Sequence, residues 1–258
     1  MMISKKVVVI GAGAAGLMAG ATAALYGASV TIIEKNKRVG RKIMITGKGR
    51  CNLANNCDVQ TFINNVPVNG RFLYSAINAF TPEDTIEFFE SKGLKTKTER
   101  GNRVFPASDK SVDVVDTMHD YAVESGCKIV CDTANALILE DGAVIGVKCE
   151  ENTYYADSVI ICCGGKSYPL TGSTGDGYIL AKQAGHTIVP LKPSLVPFTS
   201  GDKQCKDMQG LALKNVALRI VDKNSKKTVY SDFGEMLFTH FGISGPMILS
   251  ASSHIRDI

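Results

Sequence analysis

The chain has 258 residues, enough for one large domain or two ordinary ones with a substantial core. Its apolar fraction of 45%, charged fraction of 21% and net charge of +4 suit a soluble globular protein rather than a disordered one. No stretch reads as a basic helix with interleaved aromatics, so nucleic acid is not an expected partner. The eight cysteines form no C-x-x-C pair and have no histidine at ligand spacing, so no metal site is expected. Reduced thiols in the cytoplasm are the plain reading.

The chain opens on an uncharged run, residues 7–33, long enough to cross a bilayer. Glycines at 11, 13, 16, 20 and 27 interrupt it, which argues against a signal peptide or a membrane helix. Residues 7–10 read as a short buried strand of β-branched side chains. Gly11 permits a tight turn, Gly13 leaves backbone bare for a pyrophosphate, and Gly16 allows close packing of helix on strand. The helix is expected over residues 14–26, capped by Gly27, its amino end offering free N–H groups and a positive dipole. A second strand, residues 29–33, leads into Glu34, 23 residues after Gly11, where a dinucleotide fold places its ribose-binding acid. An acid there favours FAD or NAD over NADP.

After Glu34 comes "EKNKRVGRKIMITGKGRCNLAN", a basic, glycine-rich loop rather than another helix–strand repeat. It is not a P-loop, because Lys48 is followed by glycine. Arg41, Lys42, Lys48 and Arg50, interleaved with Gly47 and Gly49, can line a long anionic ligand. Residues 128–131, 134–140 and 144–150 read as strands of a β-meander, with Asp141-Gly142 as a hairpin turn and Tyr154-Tyr155 continuing it. An apolar strand at 158–163 then runs into Gly164-Gly165. Beyond a proline-rich linker near 190–200, residues 211–221 alternate loosely. Short strands follow at 228–230 and 236–239, and a helix starts near Gly245-Pro246.

A meander feeding a strand that ends on paired glycines resembles the glutathione-reductase-type FAD domain. Three motifs narrow the likeness: "GRKIMITGKGRCNLAN", "GGKSYPLTGSTGDGYILAKQAGHTIVPLKPSLVPF" and "LFTHFGISGPMIL". Together they resemble the BaiN-like, or aminoacetone-oxidase-like, family of bacterial flavoproteins. The resemblance implies an α/β fold: an FAD-binding Rossmann domain with β-meander over residues 1–190, and the start of an inserted β-rich domain over 191–258. Carried over by position, Gly11, Gly13, Ala14, Ala15 and Gly16 would meet the pyrophosphate, Glu34 the ribose and Lys35 the adenine side. Arg41, Lys42, Thr46, Gly47, Arg50, Cys51 and Asn52 would line the flavin end. Ala134 would offer backbone to the adenine, and Gly164 and Gly165 would close over the ligand. Family members continue past Ile258, so the chain is expected to be the amino-terminal part of a longer protein.

The resemblance implies an FAD-dependent oxidoreductase acting on a small organic substrate, either an enone-type reductase or an amine oxidase. NAD(P)H would be a transient donor, or oxygen the acceptor. Lys48, Tyr168 and His240 are weak candidates for catalytic roles, and Lys48 or Arg50 could supply a cation near the flavin. Two alternatives stand beside this reading. One is a flavin-binding module without its own turnover, for instance a tRNA-modifying or regulatory flavoprotein. The other is a disulfide reductase using Cys51 and Cys57, although five residues rather than four separate them.

Overall fold

The computed structural model describes residues 4–255. The four β-branched residues that suggested a strand lie in β1 (Lys6–Ile10), which pairs in parallel with β2 (Ser29–Glu34). Two more parallel strands, β3 (Lys128–Cys131) and β4 (Ser158–Ile161), complete a sheet of order β4-β1-β2-β3. The alternation of a pleated strand sends Val7 and Val9 into one apolar cluster and Val8 and Ile10 into another. A strand buried on both faces therefore reads as a continuous apolar run.

Helix α1 (Ala14–Leu25) packs on the first cluster through Leu17 and Ala21, both fully buried. It ends one residue earlier than the sequence suggests. Gly27, at φ +89°, donates to Ala24 and Ala28 donates to Ala23, so glycine closes the last turn. The stretch after Glu34 is not a plain loop: α2 (Arg41–Ile45) runs into a 3₁₀ turn, Thr46–Gly49. That turn breaks helical geometry at Gly47 and Lys48, both at positive φ. Next come a small antiparallel sheet (Ala54–Asn55, Arg103–Pro106, Thr96–Glu99) and two amphipathic helices. The helix α3 (Pro82–Ser91) starts on a capping box in which Thr81 and Asp84 bond each other's backbone N–H. Its successor α4 (Ser111–Glu124) buries Val114, Val115 and Met118 in the first cluster.

The meander differs from the sequence reading in one strand. Residues 128–131 join the parallel sheet through β2, and the three meander strands are Ala134–Glu140, Ala143–Cys149 and Thr153–Tyr155. Asp141 and Gly142 turn it with φ of +49° and +80°, as a two-residue hairpin requires. After β4 the chain reaches α5 (Asp176–Gln183), whose Leu180 fills the second cluster.

The chain divides into two compact units. The first runs to Ile63 and again over Arg71–Ile188, and it contains every element labelled so far. Asn64–Gly70 and the chain from Val189 form the second. That unit holds a four-stranded antiparallel sheet and the helix Pro246–His254. Within it Thr228–Thr239 is one strand of twelve residues, not the two short ones expected. Among the described residues no helix is long and apolar enough to cross a membrane.

Candidate dinucleotide-binding site

A cavity of about 1000 Å³ opens beyond the carboxyl ends of β1, β2 and β4, where open α/β sheets bind their ligands. Its floor is built by glycines. Gly11 has φ +102°, and a β-carbon there would stand 2.6 Å from the carbonyl oxygen of Cys162. Gly16 sits directly under Gly11, leaving no room for a side chain. Gly13, by contrast, has nothing within 4 Å of where its β-carbon would be. It is the N-cap of α1 and provides no side-chain hydrogen bond, so the first amides of that helix keep their donors for a ligand.

Glu34 lies at the end of β2, only 9% exposed, and lines the cavity. One carboxylate oxygen accepts from Ala12 N–H at 2.9 Å. The other accepts from the backbone N–H of Asn36 at 2.9 Å and from its side-chain amide at 2.6 Å. Asn36 accepts in turn from Arg41 at 2.6 Å. The acid is thus fixed in place, with acceptor capacity left on the oxygen that Ala12 holds.

Of the residues the resemblance assigned to cofactor binding, most line this cavity: Gly11, Gly13, Ala14, Ala15, Glu34, Lys35, Arg41, Lys42, Thr46, Cys51, Asn52, Ala134 and Gly164. Gly16, Gly47, Arg50 and Gly165 do not line it. Gly47 is packed beneath Asn52 and the Phe105 ring. Gly165 faces the hydroxyl of Tyr178. The Arg50 guanidinium sits 4.0 Å from the centre of the Phe105 ring and pairs with Glu99 at 2.8 Å and Asp109 at 3.1 Å. Hydrogen bonds from Arg50 and Lys97 hold those two carboxyls below their usual range. Arg50 is therefore spent on the wall's support rather than aimed at a ligand.

Lys35 differs from expectation in its partners. Its ammonium bonds Asp176 at 2.7 Å and Thr174 at 2.9 Å, tying the end of β2 to the start of α5. That bond, more than any other influence, lowers the Asp176 carboxyl. Lys42 has no ion pair or hydrogen bond from its ammonium among the described residues, and it lines the cavity. Just before the first meander strand, Asp132 is buried, which pushes its carboxyl up. The amides of Glu151, Thr133 and Asn152 outweigh this and hold it below the usual range. Those bonds fix the main chain at Thr133 and Ala134 on the cavity wall.

The weak catalytic candidates lie elsewhere. Lys48 is exposed, Tyr168 is 66% exposed at φ +55°, and neither lines the cavity. His240 is exposed in the second unit, edge-on to Phe241. Cys51 is buried with its thiol pushed up by desolvation, and the thiol of Cys57 is raised too. The extended pair Ala54–Asn55 separates them where a redox pair would want a helix. Asn36, Asp132 and Ser173 were not singled out from the sequence. The available signals were a carboxamide two residues past Glu34, and a hydroxyl set among glycines in "TGSTGDG".

Sheet order, meander and glycine-floored cavity define a Rossmann domain of the FAD-binding, glutathione-reductase type. The family described as HI0933-like protein Rossmann domain matches residues 5–251, and the chain belongs to that family. It is 32% identical over 250 residues to a 3-dehydro-bile acid delta(4,6)-reductase from Clostridium scindens, covering 96% of this chain and 59% of that protein. It is 30% identical over 248 residues to a ribosomal RNA dihydrouridine synthase from Escherichia coli, covering 96% and 60%. The chain thus spans about three fifths of the length of these relatives. In fold it is similar to the 3-ketosteroid-delta4-(5alpha)-dehydrogenase of Rhodococcus jostii, with TM-score 0.55, 14% identity and coverage of 83% of this chain and 60% of that one.

Proposed function

We propose that the protein is an FAD-dependent oxidoreductase that reduces a carbon–carbon double bond conjugated to a carbonyl on a small organic substrate, with NAD(P)H as a transient donor. The observation that carries the cofactor reading is the pairing of bare backbone at Gly13 with the fixed carboxylate of Glu34 in one cavity. The residues fit FAD: free amides at the start of α1 suit the diphosphate, Glu34 suits a ribose hydroxyl, and the main chain at Ala134 suits the adenine. When bound, FAD supplies hydride transfer, and the protein supplies orientation and electrostatics. The names of the two relatives point to one reaction class, since a delta(4,6)-reductase and a dihydrouridine synthase both saturate a ring double bond. An amine oxidation has no such support.

In this assignment residues 1–190 bind the cofactor, and residues 191–258 begin an inserted β-rich domain. The apolar part of the cavity wall, from Met18, Leu53, Phe89 and Met118, excludes water from the ligand. All eight cysteines are free thiols, in keeping with a cytoplasmic protein.

The test is direct. Purified protein is expected to be yellow, with bands near roughly 370 and 450 nm, and to bleach with NADH or NADPH. Addition of an α,β-unsaturated ketone should then restore the colour anaerobically. Protein that takes up no FAD would refute the cofactor reading. Reoxidation by air alone would leave a flavin oxidase or a non-catalytic flavin module. A second reading follows from the two relatives named ribosomal RNA dihydrouridine synthases, in which the reducible bond sits in a uracil base of RNA. Salt-sensitive RNA binding together with reoxidation by RNA, and not by the enone, would favour it.

A further inference from the structure

The cavity wall includes side chains that the dinucleotide reading does not use. They are Met18 of α1, Ile43 of α2, Leu53, Phe89 of α3, and Val114 and Met118 of α4. Ile43, Phe89, Val114 and Met118 are members of the first apolar cluster, at 8%, 5%, 1% and 5% exposure, and Met18 and Leu53 pack against it. None of the six side chains carries a charge, an N–H or an O–H. The hydroxyl on this part of the wall, that of Thr85, donates to the Thr81 carbonyl at 3.1 Å and is already committed.

Close-packed cores leave few spaces larger than a water molecule, yet here the cavity reaches buried members of a cluster. Space lined this way stays dry and takes apolar ligands. It does not suit a whole flavin ring system, whose polar half would leave its N–H and C=O groups without partners. Cys51 belongs both to this cluster and to the residues assigned to the flavin end, so the apolar compartment adjoins that end. Its walls combine a rigid side with an adaptable one. Phe89 is held edge-on by Phe88 at 5.0 Å, and Phe88 in turn by Tyr121 at 4.9 Å. Met18 and Met118 are flexible thioethers that fit themselves to irregular apolar shapes.

We infer that this compartment receives the hydrocarbon body of the substrate, so that the preferred substrates are uncharged cyclic enones bearing alkyl or fused-ring groups. This rests on the oxidoreductase reading above and adds to it the chemical class of substrate, with Met18 and Met118 as the residues that set its length. Polar anchoring of the carbonyl is left to groups outside the compartment, because the six side chains offer it no donor.

The experiment measures binding without turnover. Calorimetry on the FAD-loaded protein follows a series of 4-alkylcyclohexanones, from methyl upward, which carry the alkyl group but no reducible double bond. Each added methylene is expected to tighten binding about fourfold until the compartment is full. Met18→Phe, which fills the space, should end that gain at a shorter chain, and Met118→Ala, which enlarges it, should extend the gain to a longer one. Affinity independent of chain length would overturn the compartment, and so would the same limiting length in the parent and both variants. A fall in FAD affinity of more than tenfold in Met18→Phe would give the space to the cofactor and also overturn it. Enone reduction that persists without the length dependence removes the compartment alone. Length-dependent ketone binding without reduction of the matching enones keeps the compartment and removes the reductase reading.

Discussion

Gly16 lies so close beneath Gly11 that any β-carbon on it would overlap the Gly11 carbonyl oxygen. Helix and strand approach this closely only because both positions lack side chains, and the approach brings the amino end of α1 to the cavity. Gly16→Ala is expected to push α1 away from β1, at a cost of about 1–3 kcal/mol for overpacking. Thermal unfolding should show the loss, and FAD uptake should fall with it. Gly27→Ala, at a positive-φ cap away from the cavity, should destabilise by a comparable amount yet leave FAD affinity unchanged.

Glu34→Gln tests the ribose-binding role proposed for Glu34. Three donors converge on the carboxylate, and an amide offers one of them a second donor instead of an acceptor. The expected cost is about 1–3 kcal/mol of stability, with FAD affinity reduced by more than tenfold. Chemical denaturation and fluorescence titration separate the two effects. An unchanged affinity would remove Glu34 from the site.

Arg50→Met should loosen the wall that carries Thr46, Cys51 and Asn52, because the guanidinium joins that segment to Glu99 and Asp109. The prediction is a faster loss of bound FAD with an unchanged flavin reduction potential. A large shift in potential would instead place the cation beside the flavin ring.

Burial, aided by the charge of Asp132, pushes the Cys149 thiol from 9.0 up to about 11. An unfolded chain ionises that thiol first, so its contribution to stability is complete below about pH 9 and is lost as pH rises through 11. The size is on the order of 2 kcal/mol. The urea midpoint should fall less between pH 8.5 and pH 10.5 in Cys149→Ala than in the unsubstituted protein, where the alkaline loss is steeper.

Cys51 and Cys57 are expected not to exchange electrons with the flavin. The Cys57→Ser variant should be reduced by NAD(P)H at the same rate as the parent, and thiol titration should give the same count before and after flavin reduction, corrected for the replaced cysteine. A two-thiol difference on reduction would restore the disulfide-reductase reading.

The sequence was most legible where structure is local. Strand, glycine turn, helix, strand and acid fall within residues 6–34, and each is set by its own neighbours. Residues 128–131 were misplaced because a four-residue apolar strand looks the same in a meander as in a parallel sheet, and its partner β2 lies about a hundred residues earlier. The strand Thr228–Thr239 was split in reading because Asp232-Phe233-Gly234 resembles a turn; pairing along Ala212–Val221 carries the backbone straight through it. Arg50 looked like a ligand for the same reason. Its two acids come from positions 99 and 109, a proximity no local pattern reports. Ser173 escaped notice because nothing in its neighbourhood marks a buried hydroxyl from an exposed one.

The carboxylate of Glu34 already bridges the β1 turn and Asn36 through the protein's own donors. Its aim is thus built in by the polypeptide and owes nothing to the nucleotide it would receive. A preparation stripped of pigment should stay folded, and should regain its colour on simple mixing rather than after denaturation and renaturation.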